Sequence, residues 1–370
     1  MSKITLSAIK ADIGAVGGHT QPSAEVLAVV KSHVEENGIK SGLLKDRYVG
    51  FTGDDIHIVM SHTHGVNAPE VHKLAFDAFM KATDVAKKQG LYGAGQDLLK
   101  TAFSGNVRGM GPGVAEMEFE ERPNEAFMVL PADKTEPGAF NVPFYFVFVE
   151  VSHSPGLILS ETMRKGTEFT IMDAKSTEED RIIKLHTPEE YIDIASLLFD
   201  PHRFMIESIH LRENGEPIAS LSTTRLHNIA GKYVGKDDPI AVVRVQKPFL
   251  ATEEIGVSFR YAHYVGGDAR GSHYMALMPV KIGTPASIFQ CNPIINALYF
   301  SMHNGKFVGP GDGFDDPMYD EVRRLAAVKS SYMRDQGFVM PAMLPMEEIE
   351  YTILEDKLKE LGKKFTVRAK

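Results

Sequence analysis

The sequence predicts an α+β protein in which sheets pack face to face and helices cover their outer sides. Three observations lead there. Strand-like segments recur from one end of the chain to the other, and only a few amphipathic helical stripes separate them. Short loops carrying acidic residues occur from residue 12 to beyond residue 230, so any cut into independent domains would divide them. At 370 residues the chain is also long enough to bury a large core. A single domain spanning 1–370 is therefore expected.

The elements follow in order. Residues 3–11 alternate Ile4, Leu6 and Ala8 against Thr5, Ser7 and Ile9, which predicts a strand ending at Asp12. A glycine-rich loop, Gly14 to His19, leads to a helix from about Ser23 to Glu36. Tyr48–Thr52 and Ile56–His62 predict two strands around a Gly53-Asp54-Asp55 turn, the chemistry of a tight hairpin. Pro69 opens a long helix with Val71, Leu74, Ala78, Ala82 and Val85 on one stripe, ended by Gly90. Strands are expected at Val114–Phe119, Ala126–Leu130 and Phe144–Val149. Others are expected at 168–173, 203–211, 218–226, 240–246, 257–264, 274–280 and 296–302. One helix (189–198) interrupts them, and Pro317–Gln336 with a segment after Pro345 close the chain helically. No repeat, low-complexity tract or Ser/Gly linker is present.

Composition narrows the function classes. The apolar (43%) and charged (24%) fractions are those of a soluble globular protein. A net charge of -9, with no Lys/Arg run interleaved with aromatics, argues against nucleic acid as a partner. The single cysteine, Cys291, excludes an intrachain disulfide and thiolate metal sites, and reads as a small buried apolar residue. There is no signal-peptide pattern and no apolar stretch near the roughly 18 residues of a membrane span. A soluble, cytoplasmic protein without membrane contact is expected.

The acidic loops carry the chemistry. Asp12, the pair Asp54-Asp55, Asp133 beside Lys134, and Lys236-Asp237-Asp238 all sit in turns next to apolar strands. Any one of these aspartates reads as a turn residue or helix cap. As a set of short carboxylates they suit Mg²⁺, which takes oxygen ligands and lets a substrate phosphate supply some of them. Gln96, in the turn Gly93-Ala94-Gly95-Gln96, adds a neutral oxygen, and His19 ends the loop that follows Asp12. His57, His62 and His64 suggest zinc, but such spacing on one strand fits core or surface histidines better, and no Glu-x-x-His pattern accompanies them.

Phosphate handling is a second theme. Gly105-Asn106 lies in a glycine-rich run, Ser104 to Gly113, able to bring backbone N–H groups to an anion, although it is not a Walker loop. Arg270 offers a planar fork for phosphate and Lys134 a point charge; alone, each would be a surface cation. In Tyr233-Val234-Gly235-Lys236-Asp237-Asp238 the lysine would ordinarily be a protonated ion pair in a solvated turn. With Mg²⁺ on the two carboxylates its pKa would fall, so that the amine could form a Schiff base while Tyr233 shuttles a proton.

These segments resemble a known family. Ile9-Lys10-Ala11-Asp12-Ile13-Gly14, Gly18-His19-Thr20, Gly53-Asp54-Asp55, Ala94 to Leu99, Ser104 to Gly113 and Tyr233 to Pro239 are similar to the fructose-1,6-bisphosphate aldolase/phosphatases of archaea and deep-branching bacteria. Pro131 to Gly138, Ala269 to His273 and Glu350-Tyr351-Thr352 extend the likeness over essentially the whole chain. The resemblance implies a four-layer α-β-β-α sandwich assembled as a homo-octamer. It implies condensation of dihydroxyacetone phosphate with glyceraldehyde 3-phosphate, then removal of the C1 phosphate to give fructose 6-phosphate in gluconeogenesis. By the same resemblance Lys236 is the Schiff-base lysine, Tyr233 the aldolase proton donor and acceptor, and Asp12 the phosphatase proton acceptor. Several Mg²⁺ ions fall to Asp12, His19, Asp54, Asp55, Gln96, Asp133, Asp237 and Asp238. Substrate falls to His19, Tyr92, Gly105, Asn106, Lys134, Gln246, Arg270 and Tyr351.

One segment departs from the pattern. Where the family has Phe-Asp-Gly-Pro-Pro, this chain reads Phe289-Gln290-Cys291-Asn292-Pro293, and the role of that Asp is not transferred to Gln290. Two alternatives therefore stand beside the bifunctional enzyme: an Mg-dependent sugar phosphatase without aldolase activity, and a non-catalytic phosphometabolite-binding protein.

Overall fold

The computed structural model describes residues 3–95, 97–98, 112–174, 181–222, 237–266, 274–287, 292–335 and 354–366. The first half is built from β1 (Lys3–Asp12), α1 (Ala24–Val34), β2 (Asp46–Thr52), β3 (Asp55–His62), α2 (Pro69–Lys88), β4 (Gly113–Glu120) and β5 (Glu125–Asp133). There follow α3 (Asn141–Phe148), α4 (Gly156–Leu159), β6 (Thr167–Asp173), β7 (Ile182–His186), α5 (Tyr191–Leu198), β8 (Phe204–Leu211), β9 (Pro217–Leu221) and β10 (Ile240–Val245). The remainder holds a helix at Thr252–Val257, β11 (Tyr264–Gly266), β12 (Tyr274–Ala276), β13 (Met278–Pro279), β14 (Ile294–Ile295), β15 (Leu298–His303), β16 (Lys306–Asp312) and helices Met318–Asp335 and Leu354–Gly362.

Among the described residues the strands form a four-stranded sheet, β2-β3-β1-β4, and a larger one, β13-β14-β5-β10-β9-β8-β6-β7, with β15 also on β5 and β16 on β15. The chain is thus α+β, with mainly antiparallel pairing. β11 and β12 make a separate small hairpin.

Three apolar layers follow from strand alternation. On β1 and β3, Ile9, Ile56, Ile58 and Met60 pack against Val30, Val71, Ala75 and Phe79 of α1 and α2. The opposite side chains, Leu6, Ala8 and Val59, meet Phe127, Val129, Ile240 and Val242 of the larger sheet. That sheet turns Leu130, Ala241, Val243 and Phe169 to its other side, against Phe144 and Phe148 of α3 and Ile194 of α5. β3, and β1 from Ile4 onward, are covered on both faces, so every one of those residues is buried.

Two sequence expectations are corrected. Phe144–Val149, read as a strand from its β-rich composition, is the body of α3. Pro143 sits in that helix's first turn, where a missing N–H costs little, and the segment is apolar on all sides although only Phe144, Val147 and Phe148 of it are fully buried in the core. The strand expected at 257–264 is instead the end of the helix Thr252–Val257 and a turn; strand pairing begins only at Tyr264. β7 and β16 were not anticipated: β7 exposes Ile182 and Ile183, and Gly309, Pro310 and Gly311 interrupt β16. No helix of the described residues is long and apolar enough to cross a membrane.

Candidate metal and phosphate site

The site forms where the layer between the two sheets runs out of apolar side chains. On β1 the inward sequence Leu6, Ala8 continues in phase with Lys10 and Asp12. On β3 the same side carries Val59, His57 and Asp55, and Asp12 pairs with Asp55 across the ladder. β5 brings Phe127, Val129 and then Asp133, while Asp238 precedes Ile240 and Val242 in the same phase. Period-two alternation thus sends Asp12, Asp55 and Asp133 to one end of one layer, where Asp238 joins them from the turn before β10.

Gly53 and Asp54 make the β2–β3 turn. Gly53 has φ +56, and a β-carbon there would lie 1.6 Å from Asp133 Oδ2, so only glycine fits. Asp54 receives Lys134 Nζ on Oδ1 and His19 Nδ1 on Oδ2 (3.0 Å). Lys134 Nζ also reaches Asp133 Oδ1 (2.9 Å). Asp55 Oδ2 is held by Lys10 Nζ, which donates as well to the Ala132 carbonyl (2.6 Å). Asp12 Oδ1 accepts from Gly14 N–H (2.9 Å), and Asp12 N–H donates to Asp97 Oδ2 (2.9 Å).

The turn after β5 is under strain. Lys134 (φ +61) and Asp238 (φ +52) both adopt the left-handed conformation that costs a side chain roughly 1–2 kcal/mol. They are held by reciprocal bonds: Thr135 N–H donates to Asp238 Oδ1 (2.8 Å), and Asp238 N–H donates to the Thr135 carbonyl (2.8 Å).

Electrostatics favours a cation here. Burial, then the neighbouring Asp54 and Asp55, pushes the Asp12 carboxyl well above its ordinary range. Burial raises Asp55 to about 7 against the pull of Lys10. Asp133 is likewise pushed well up by burial, with Lys134 opposing and Asp54 and Asp238 adding to the rise. Burial also acts on Asp54, but Lys134 and His19 override it and hold that carboxyl low. Carboxylates this close and this dry need protons or cations. Two donor sets, Asp12 with His19 and Asp54, and Asp55 with Asp133 and Asp238, each have ligand atoms within 4.8 Å of one another. Asp133 Oδ2 is buried without a hydrogen-bond partner, as an oxygen awaiting a cation would be. An oxygen-dominated set fits a hard divalent ion.

Of the residues expected from sequence, Asp12, His19, Asp54, Asp55, Asp133, Lys134 and Asp238 are brought together, with half-buried Asp237 next in the chain. Tyr92 joins through its ring, 4.9 Å from that of His19 and edge-on, and through a backbone bridge to Ala15. Gln246 is not gathered within one chain. It follows β10 at the end opposite Asp238, where its side chain donates to Thr252 Oγ1 (2.9 Å). Gln96, Gly105, Asn106, Tyr233, Lys236, Arg270, Gln290 and Tyr351 lie outside the described residues.

The histidine triplet does not converge. His57 points between the sheets, buried, its pKa lowered to about 3 by burial and then by Lys10. His62 lies on the other face, 2.8 Å from Ser7 Oγ, and His64 reaches the Leu43 carbonyl at the edge. Sequence reasoning missed Lys10 and Asp97. Lys10 was detectable, since a charge two residues before Asp12 on an otherwise apolar strand face must be buried and paired. Asp97 carried no comparable signal.

Comparison with known proteins bears on this geometry. A family model described as fructose-1,6-bisphosphatase matches residues 3–366. The chain is 57% identical over 364 residues to a fructose-1,6-bisphosphate aldolase/phosphatase of Thermus thermophilus, covering 98% of this chain and 100% of the relative. It is 56% identical over 349 residues to the protein of that name from Cenarchaeum symbiosum, covering 94% and 91%. With that of Ignicoccus hospitalis the identity is 46% over 364 residues, covering 98% and 93%.

Proposed function

The chain belongs to the fructose-1,6-bisphosphatase family, and on that premise we propose that it is a bifunctional fructose-1,6-bisphosphate aldolase and 1-phosphatase of gluconeogenesis, dependent on Mg²⁺. The observation that carries this reading is the convergence of Asp12, Asp54, Asp55, Asp133 and Asp238, with Lys134, from both sheets onto one buried site. Full-length relatives sharing one name support both activities.

In the condensing reaction the Lys236 amine adds to the ketone of dihydroxyacetone phosphate and water leaves, giving an iminium. Tyr233 takes a proton from the adjacent carbon, and the resulting enamine attacks the aldehyde of glyceraldehyde 3-phosphate. Tyr233 returns a proton to the new alkoxide, and water releases fructose 1,6-bisphosphate from the lysine. In the second reaction Asp12 draws a proton from the water that attacks the C1 phosphorus, and the sugar hydroxyl departs. Lys134 and His19 steady the phosphate oxygens. Magnesium bound among the carboxylates would neutralise the phosphate charge that otherwise repels the incoming water. The two reactions need different occupants of one small space, so the loops rearrange between them.

The same reading covers architecture and setting. The three apolar layers support an α-β-β-α order. A homo-octamer is part of the same reading, and exposed apolar side chains such as Leu159 (79%) and Phe199 (90%) offer surface for subunit contacts. A cytoplasmic location suits enzymes of triose and hexose phosphates. The deciding experiment is a coupled assay with both triose phosphates and Mg²⁺ that detects fructose 6-phosphate. Product from fructose 1,6-bisphosphate but not from the trioses would leave a phosphatase alone, and none from either would overturn the reading.

A further inference from the structure

Beyond the acidic cluster, one group of titratable side chains is tied to it through the backbone. Glu136 closes the strained turn that begins with Asp133 and Lys134. Its N–H donates to the Gly266 carbonyl (2.9 Å), and its Oε1 accepts from Gly266 N–H (2.8 Å). Its other oxygen, Oε2, lies 2.6 Å from His202 Nδ1. His202 Nε2 in turn lies 2.6 Å from the Tyr274 hydroxyl. Tyr274 pairs with Gly266 across the β11–β12 hairpin, so the chain of contacts closes on itself.

The surroundings leave little freedom. A β-carbon on Gly266 would come within 2.8 Å of Glu136 Oε2 and 3.2 Å of His202 Cε1. One on Gly138 would meet the Pro201 carbonyl oxygen at 2.3 Å. The side chains of His202 (14% exposed) and Glu136 (10%) are largely withdrawn from water. Stability alone would be served as well by apolar packing.

We propose that Glu136, His202 and Tyr274 form a positioning brace that sets the Asp133–Thr135 turn for cation and phosphate binding. The left-handed backbone at Lys134 persists only if both ends of its turn are fixed. Asp238 fixes one side, through its two bonds to Thr135. The brace fixes the other, and so aims the Asp133 carboxylate and Lys134 Nζ. These three are positioning residues, acting through Asp133 and Lys134.

The inference rests on the reading of Asp133 as a metal ligand, and the test separates the two. Mg²⁺ affinity of the full-length protein is measured by calorimetry for His202→Ala, His202→Gln, Tyr274→Phe and Asp133→Asn, with KM and kcat for fructose 1,6-bisphosphate alongside. Outer partners of metal ligands commonly change affinity by about 10–100-fold. The brace predicts about tenfold weaker Mg²⁺ binding for His202→Ala, partial recovery in His202→Gln, and a smaller loss in Tyr274→Phe. KM should rise more than kcat falls. Should His202→Ala fail to fold, Tyr274→Phe and His202→Gln carry the test. Unchanged Mg²⁺ affinity in these variants, with weakened affinity in Asp133→Asn, would overturn the brace while leaving the site intact. Unchanged affinity in Asp133→Asn would overturn the ligand assignment and the brace with it.

Discussion

The space where Gly53 would carry a β-carbon is filled by the Asp133 carboxylate: such an atom would lie 1.6 Å from Asp133 Oδ2. Gly53 belongs to the β2–β3 turn of one sheet and Asp133 to the end of β5 in the other. Their contact is therefore a seam between the sheets at the floor of the site.

Gly53→Ala should displace Asp133 and also strain a backbone at φ +56, at a cost of roughly 1–2 kcal/mol. Mg²⁺ affinity should fall at least tenfold while the fold survives. Calorimetry with circular dichroism checks this; unaltered binding would mean that Asp133 is not a ligand.

In metal-free protein the acidic cluster should contribute a loss of stability as pH rises from about 4 to about 7. Asp12, Asp55 and Asp133 have raised folded-state pKa values, Asp55 to about 7, so their contribution is complete below the ordinary carboxylate value. It disappears as pH climbs through the folded value. Asp54, Glu116 and Glu125 are lowered and act oppositely, mostly below that window. His57, His62 and His263, lowered by burial to about 3, about 4 and about 4, gain stability within it. The cluster's share is therefore read as the difference between the wild type and Asp55→Asn. Mg²⁺ should restore the loss at neutral pH and matter little in acid, where protons compete for the same oxygens. Thermal melts across pH with and without Mg²⁺ test the sign. A metal-free melting temperature of the wild type that does not fall relative to Asp55→Asn over this window would contradict the assigned burial.

Arg244 marks the opposite end of the inter-sheet layer. Fully buried, it donates to Glu125 (2.8 and 3.2 Å) and Glu216 (2.6 Å) and lies over Phe119. Arg244→Met should destabilise by about 3–5 kcal/mol, because it leaves Glu125 buried with less compensation. Mg²⁺ affinity should not change. Denaturant titration and calorimetry together distinguish this structural pair from the functional end of the layer.

Lys236→Arg should abolish aldol condensation and retain part of the phosphatase activity, since guanidinium does not form the imine. Borohydride in the presence of dihydroxyacetone phosphate should trap a covalent adduct on the wild-type chain and none on the variant. Equal loss of both activities would argue against this division of labour.

Legibility followed the physics of each segment. β1, α1, the β2–β3 hairpin and α2 were readable because each has one dominant period and explicit punctuation at Gly53, Pro69 and Gly90. α3 was not, because a helix apolar all round loses the period that would identify it. At the site, the aspartates were visible as acidic turns and Lys10 as a charge on an apolar strand face, but nothing local revealed its partner, since Asp55 lies on a neighbouring strand. His202 belongs to the same class: its contacts to Glu136 and Tyr274 span separations that only the folded chain closes.

The alternation that carries β1 from Leu6 through Ala8 and Lys10 to Asp12 has a consequence for change by insertion or deletion. Loss of one residue anywhere along that stretch would reverse every later side chain, turning the carboxylate toward the helices and putting Ala11 and Ile13 where Lys10 and Asp12 had faced the site. Changes that preserve the site are thus those that keep the spacing. Anyone grafting the site onto another scaffold must copy the parity of the strands before the identity of the acids.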